Sequence, residues 1–76
     1  EFTKIESEIF FLFINNINKV ISRESIINQT TLKEDTKNRT IDMHISNIRF
    51  KIDDDSKEPK FIKSIWGIGY KFINDN

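Results

Sequence analysis

The chain has 76 residues, 12 Lys+Arg against 12 Asp+Glu, no cysteine and 37% hydrophobic residues. That length fits one domain, 1–76, with a marginal core, since a domain of roughly 60 residues buries only about 60% of its unfolded surface. The missing cysteines exclude a disulfide framework and a thiolate metal site, and they suit a reducing compartment such as the cytoplasm.

The first element is signalled by "FTKIESEIFFLF". Thr3 and Glu6 have the spacing of a capping box, in which the hydroxyl accepts from the N3 amide and the carboxylate reaches back. Ile5, Ile9, Leu12, Phe13 and Asn16 continue at the helical period. The run Ile9 to Ile14 is far shorter than the roughly 20 apolar residues of a membrane span, and no basic leader precedes it, so no membrane partner is expected. The helix is expected to stop near "NNINK", with Asn18 as the left-handed residue.

"VISRESIINQ" reads as a short second helix, with Ser22 as N-cap, Glu24 in the first turn and Ile26 and Ile27 inward. "TTLKEDTKN" has no period and reads as a loop. "RTIDMHISNIRFKI" is the third helix, residues 39–52. At about 100° per residue, Ile41, Ile45, Ile48 and Ile52 fall within about 60° of one another and form its seam. The opposite face collects Arg39, Met43, Ser46, Asn47 and Phe50. Asp42 and Arg49 flank it on one side, with Thr40, His44 and Lys51 on the other.

"DDDSKEP" reads as a solvated acidic connection, because it lacks the ligand spacing of a calcium loop. "KFIKSIWGIGYKF" has β-branched and aromatic runs split by Gly67-Ile68-Gly69, the pattern of a β-hairpin. The fold class is therefore α+β: three helices followed by a C-terminal hairpin, a winged helix-turn-helix.

A zero net charge hides a polarised chain. Segments 36–52 and 60–73 hold seven Lys/Arg against the single acid Asp42, while the remainder holds five bases and eleven acids. A local positive field of this kind steers a polyanion whatever the total. The outward face of the third helix suits a duplex major groove, which admits one α-helix. Asn pairs with adenine there, Ser donates or accepts, and Met or Phe packs on thymine methyls. Arg39, Arg49 and Lys51 are placed to reach phosphates. The competing reading is a protein-interaction or self-association module, in which exposed Met43, Phe50 and Trp66 dock another protein or a second copy. Enzymatic chemistry is not expected. His44, the lone histidine, has no marked nucleophile or oxyanion site near it and is read as a helix-interface or phosphate-contacting residue. No cofactor and no metal are expected.

These motifs closely resemble the OmpR/PhoB-type winged-helix effector domain of bacterial response regulators. "FTKIESEIFFLF", "VISRESII", "RTIDMHISNIRFKI" and "FIKSIWGIGYKF" match that family in order over roughly residues 2 to 73. The resemblance implies sequence-specific binding of double-stranded promoter DNA by a transcriptional regulator of a two-component system, usually as a homodimer on direct repeats. It implies that the third helix enters the major groove and the hairpin wing reaches the neighbouring minor groove. By the resemblance Met43, Ser46 and Asn47 face bases and Arg39, Thr40 and Arg49 contact phosphates. The reading of the residues themselves adds Phe50 to the base-facing set and His44, Lys51 and Lys63 to the phosphate contacts. Ser64, Trp66 and Lys71 belong to the wing. Loop 30–37 corresponds to a segment that touches RNA polymerase in the family.

Several residues depart from the family pattern. Ser46, Asn47 and Phe50 stand where basic residues are common, Trp66 replaces a wing Arg, and Thr31 replaces a Trp in the loop. Packing of Trp66 on the hairpin is preferred over a wedge at a base step. With about five phosphate contacts the slope of log K against log salt would be about −4.5. The family's N-terminal four-stranded sheet and receiver domain have no counterpart in these residues, and the expectation is a piece of a longer regulator.

Overall fold

The computed structural model describes residues 1–74. Helix α1 spans Lys4–Ile14 and starts where the capping box sets it: Thr3 Oγ1 accepts from the Glu6 amide (3.2 Å), and Glu6 Oε1 accepts from the Thr3 amide (2.9 Å). The helix ends at Ile14 with Asn15 as its C-cap, at the start of "NNINK" as expected. Asn18 does adopt the left-handed conformation (φ 66°), but in the turn beyond the helix, where its amide donates to the Phe72 carbonyl (2.8 Å). Asn16 Nδ2 donates to the Leu12 carbonyl (2.8 Å) and helps close that end.

The turn delivers the chain into strand β1, Val20–Ser22, which sequence periodicity had merged with the following helix. β1 pairs antiparallel with β3, Gly69–Phe72, and β3 pairs with β2, Ile62–Ile65, giving a three-stranded sheet in the order β1-β3-β2. Three residues are too short to show a period of their own, and their hydrogen-bonding partners lie about fifty residues away in sequence. Gly69 is required at this crossing. A Cβ there would lie 2.1 Å from the Ile21 carbonyl oxygen, closer than any side chain tolerates.

Helix α2, Arg23–Asn28, is capped by Ser22, whose Oγ accepts from the Ser25 amide (3.0 Å). Helix α3 spans Asn38–Lys51 and buries Ile41, Ile45 and Ile48 completely, with Ile52 half-buried just beyond its end. Against this seam pack Ile9, Leu12 and Phe13 from α1, Ile26 from α2, and Ile21, Ile62 and Tyr70 from the sheet. Phe72 ties the sheet to α1, meeting Phe10 edge-on at 5.6 Å and stacking on Phe13 at 6.4 Å. Phe11 and Ile14 of α1, together with Ile17 and Val20, remain exposed.

The acidic connection is not simply solvated. Asp54 is buried and accepts from the amides of Lys60 (2.6 Å), Phe61 (3.3 Å) and Ile62 (3.0 Å). A carboxylate satisfied by consecutive amides can be buried at low cost. It pins the start of β2 to the end of α3, where Asp53 (φ 62°) turns the chain out of the helix. Among the described residues, no helix is long and apolar enough to cross a membrane.

Candidate nucleic-acid interface

Burying the isoleucine seam of α3 turns its opposite face outward. Arg39, Met43, Ser46, Asn47 and Phe50 are all exposed, as the helical period requires once Ile41, Ile45 and Ile48 are fixed inside. Met43 keeps 53% of its surface open and Phe50 85%. The first turn of α3 carries no acid and no side-chain cap, so its amides sit in a positive environment with Lys37 and Arg39 beside them.

The flanking residues divide. Thr40 is half-buried and lines an open cleft of about 540 Å³ with Ile5, Leu32, Thr36 and Arg39. His44 is half-buried beside Glu6. Lys51, expected at a phosphate, instead binds Glu6 Oε1 (2.6 Å) at the base of α1. Burial alone would raise the Glu6 carboxyl, but hydrogen bonds from Lys51 and the Thr3 amide hold it below its ordinary 4.5.

Arg49 departs furthest from its expected place. It is 7% exposed, and both its Nε (3.1 Å) and Nη2 (2.6 Å) donate to the Ile62 carbonyl, while Nη2 also donates to Ser64 Oγ (3.1 Å). Its guanidinium lies over the Tyr70 ring, 5.6 Å from the centroid. Arg49 lies about 70° around α3 from the centre of the isoleucine seam, between the core and the outward face, and the packed hairpin closes over that flank. Periodicity alone could not foresee the cover.

A second set of residues missed from sequence lies beside it. Asp42 accepts from Arg23 Nε (3.0 Å) and from the Tyr70 hydroxyl, joining α2, α3 and β3. Burial, then the hydrogen bond to Asp42, pushes the Tyr70 hydroxyl up to about 12. Asp42 raises the Arg23 guanidinium above its already high value. The only sequence signal for this linkage was the isolated acid within a basic segment.

On the hairpin, Lys63 and Lys71 stand directly opposite each other in the β2–β3 register. Like charges so placed repel, and a polyanion relieves the repulsion. Lys63 Nζ donates to the exposed Pro59 carbonyl, a contact that water or a phosphate can replace. Ser64 is committed to Arg49. Trp66, at the turn with Gly67 (φ 77°), is 96% exposed, so it does not pack on the hairpin as expected. A tight turn with no partner strand beyond it leaves the indole nothing to lie on. Loop 30–37 is tied to α1 where Glu8 Oε1 accepts from the Thr31 amide (2.7 Å). That bond, ahead of the smaller burial effect, lowers the Glu8 carboxyl.

The arrangement provides an exposed helix face of mixed hydrogen-bonding and apolar character, with cations at its N-terminal end and on the adjacent hairpin. Among the described residues no group of three or more His, Asp or Glu gathers as a metal site. The family model described as "Transcriptional regulatory protein, C terminal" matches residues 1–72. The transcriptional regulatory protein YcbL of Bacillus subtilis is 38% identical over 73 residues, covering 93% of this chain and 32% of YcbL. The chain thus spans about a third of the length of such curated relatives. Among solved structures, the response regulator DrrB of Thermotoga maritima, an OmpR/PhoB homologue, superimposes with a TM-score of 0.84 at 39% identity, covering 97% of this chain and 34% of DrrB. The DNA-binding domain of the response regulator AdeR, solved with an intercistronic region, gives 0.83 at 27% identity over 97% of this chain and 76% of that one. The chain belongs to the family of transcriptional regulatory protein C-terminal domains, the winged-helix DNA-binding domains of the OmpR/PhoB type.

Proposed function

We propose that the chain is the sequence-specific DNA-binding domain of a bacterial two-component transcriptional regulator. In this reading α3 lies in the major groove and the β2–β3 hairpin lies near the adjacent minor groove. The observation that carries it is the exposed α3 face, on which Ser46 and Asn47 are free to meet base edges between Met43 and Phe50. Of the cations expected at the duplex, Arg39, Lys63 and Lys71 are left to neutralise phosphates, with Thr40 and His44 at the margin. Arg49 and Lys51 act within the fold, holding the hairpin and α1. The domain works by recognition and performs no reaction. It acts in the cytoplasm, where bacterial promoters are. In the longer regulator two copies bind direct repeats, and loop 30–37, anchored through Glu8, is the part offered to RNA polymerase.

The test is titration of labelled duplex DNA at several salt concentrations. Three cationic phosphate contacts give a slope of log K against log salt of about −2.7. Asn47→Ala is expected to change which sequences bind, whereas Arg39→Ala weakens all of them alike. Salt-insensitive self-association with no DNA signal would support the rival reading, a protein-docking module using Met43, Phe50 and Trp66.

A further inference from the structure

We infer that Met43 and Phe50 are a pair of apolar readers that recognise the C5-methyl groups of two thymines in the major groove. The inference rests on the reading of α3 as the groove-entering helix and narrows that reading to a class of operator. Both side chains are exposed, Met43 over half of its surface and Phe50 over most of it. Seven residues separate them, which is two helical turns less about 20°, so they project from one stripe of α3. At about 1.5 Å per residue they are about 10.5 Å apart along the helix. With base pairs spaced about 3.4 Å apart, the two contacts fall at most about three steps from each other.

The chemistry selects thymine. Its methyl is the apolar group that a base pair displays in the major groove. Cytosine at the same place carries only a hydrogen at C5, so the contact loses the methyl that the side chain would bury. Met43 is unbranched and adapts its contact, while Phe50 presents a flat, rigid face. Exposed Ser46 and Asn47 lie between them and can bond the intervening base edges. Arg39, exposed on the same face of α3, complements a duplex rather than an apolar protein surface.

The experiment selects duplexes from a random pool on the immobilised chain, then resynthesises a selected duplex with deoxyuridine for thymidine at one position at a time. That change removes only the methyl. Two positions are expected to lose affinity about fourfold each, and about fifteenfold together, as for one buried methyl apiece. Met43→Ala should abolish the methyl dependence at one position and Phe50→Ala at the other, with circular dichroism unchanged in both. Equal affinity for the thymine and uracil duplexes overturns the inference and leaves the DNA-binding reading standing. So does a methyl dependence that survives both substitutions. Failure to select any duplex, with self-association instead, overturns both.

Discussion

Removing Arg49 separates two roles, a phosphate contact and a clamp within the fold. If Arg49 is a phosphate contact, Arg49→Ala leaves the fold intact and weakens binding. If it is the clamp between α3 and β2 that its hydrogen bonds describe, the fold suffers first. The substitution removes a charged donor from the Ile62 carbonyl and Ser64 Oγ, contacts of this kind contributing about 1.5–3 kcal/mol. It also removes a cation from the Tyr70 ring, about 1 kcal/mol more. A loss of about 2–4 kcal/mol follows. In a domain of this size 1 kcal/mol shifts Tm by about 4–8 °C, so the expected fall is about 8–32 °C. Arg49→Lys should fall in between, because one ammonium cannot reproduce the planar fork. Thermal unfolding by circular dichroism measures the shift, and amide exchange at Lys63 and Ile65 reports loosening of the hairpin. An unchanged Tm in Arg49→Ala, with duplex affinity lowered alike for all sequences and a shallower salt slope, would refute the clamp and restore the phosphate contact.

Two further perturbations probe the same framework. Asp54→Ala leaves the amides of Lys60, Phe61 and Ile62 without their acceptor, and a loss of about 1–3 kcal/mol in urea unfolding is expected. An equal substitution at exposed Asp55 should change stability by less than about 0.5 kcal/mol. Tyr70 is the chain's one tyrosine, so tyrosinate absorbance reports it alone. Its folded-state value, near 12, lies above the ordinary 10.0. Stability from this group is therefore complete below pH 10 and is lost as pH rises from about 10 through 12. Asp42→Asn should lower the tyrosinate midpoint. A midpoint already near 10 in the unsubstituted protein would mean that the hydroxyl is not held by Asp42.

Local chemistry made much of the architecture legible. The Thr3–Glu6 box and Ser22 set the starts of α1 and α2 because a cap is satisfied by amides only three residues away. The outward placement of Met43, Ser46, Asn47 and Phe50 followed from the isoleucine period, since burying one side of a helix dictates the other. What the sequence could not determine was every feature created by contact between distant segments. β1 exists because Ile21 meets Tyr70 across forty-nine residues, and Gly69 is needed because two backbones meet there. Arg49 and Lys51 look like free cations on a helical wheel, yet the hairpin buries the first and Glu6 of α1 pairs with the second. Asp54 cannot be told from Asp53 or Asp55 until three amides converge on it. Periodicity reports which side of an element is apolar; which partner arrives at its edges is a property of the assembled chain alone.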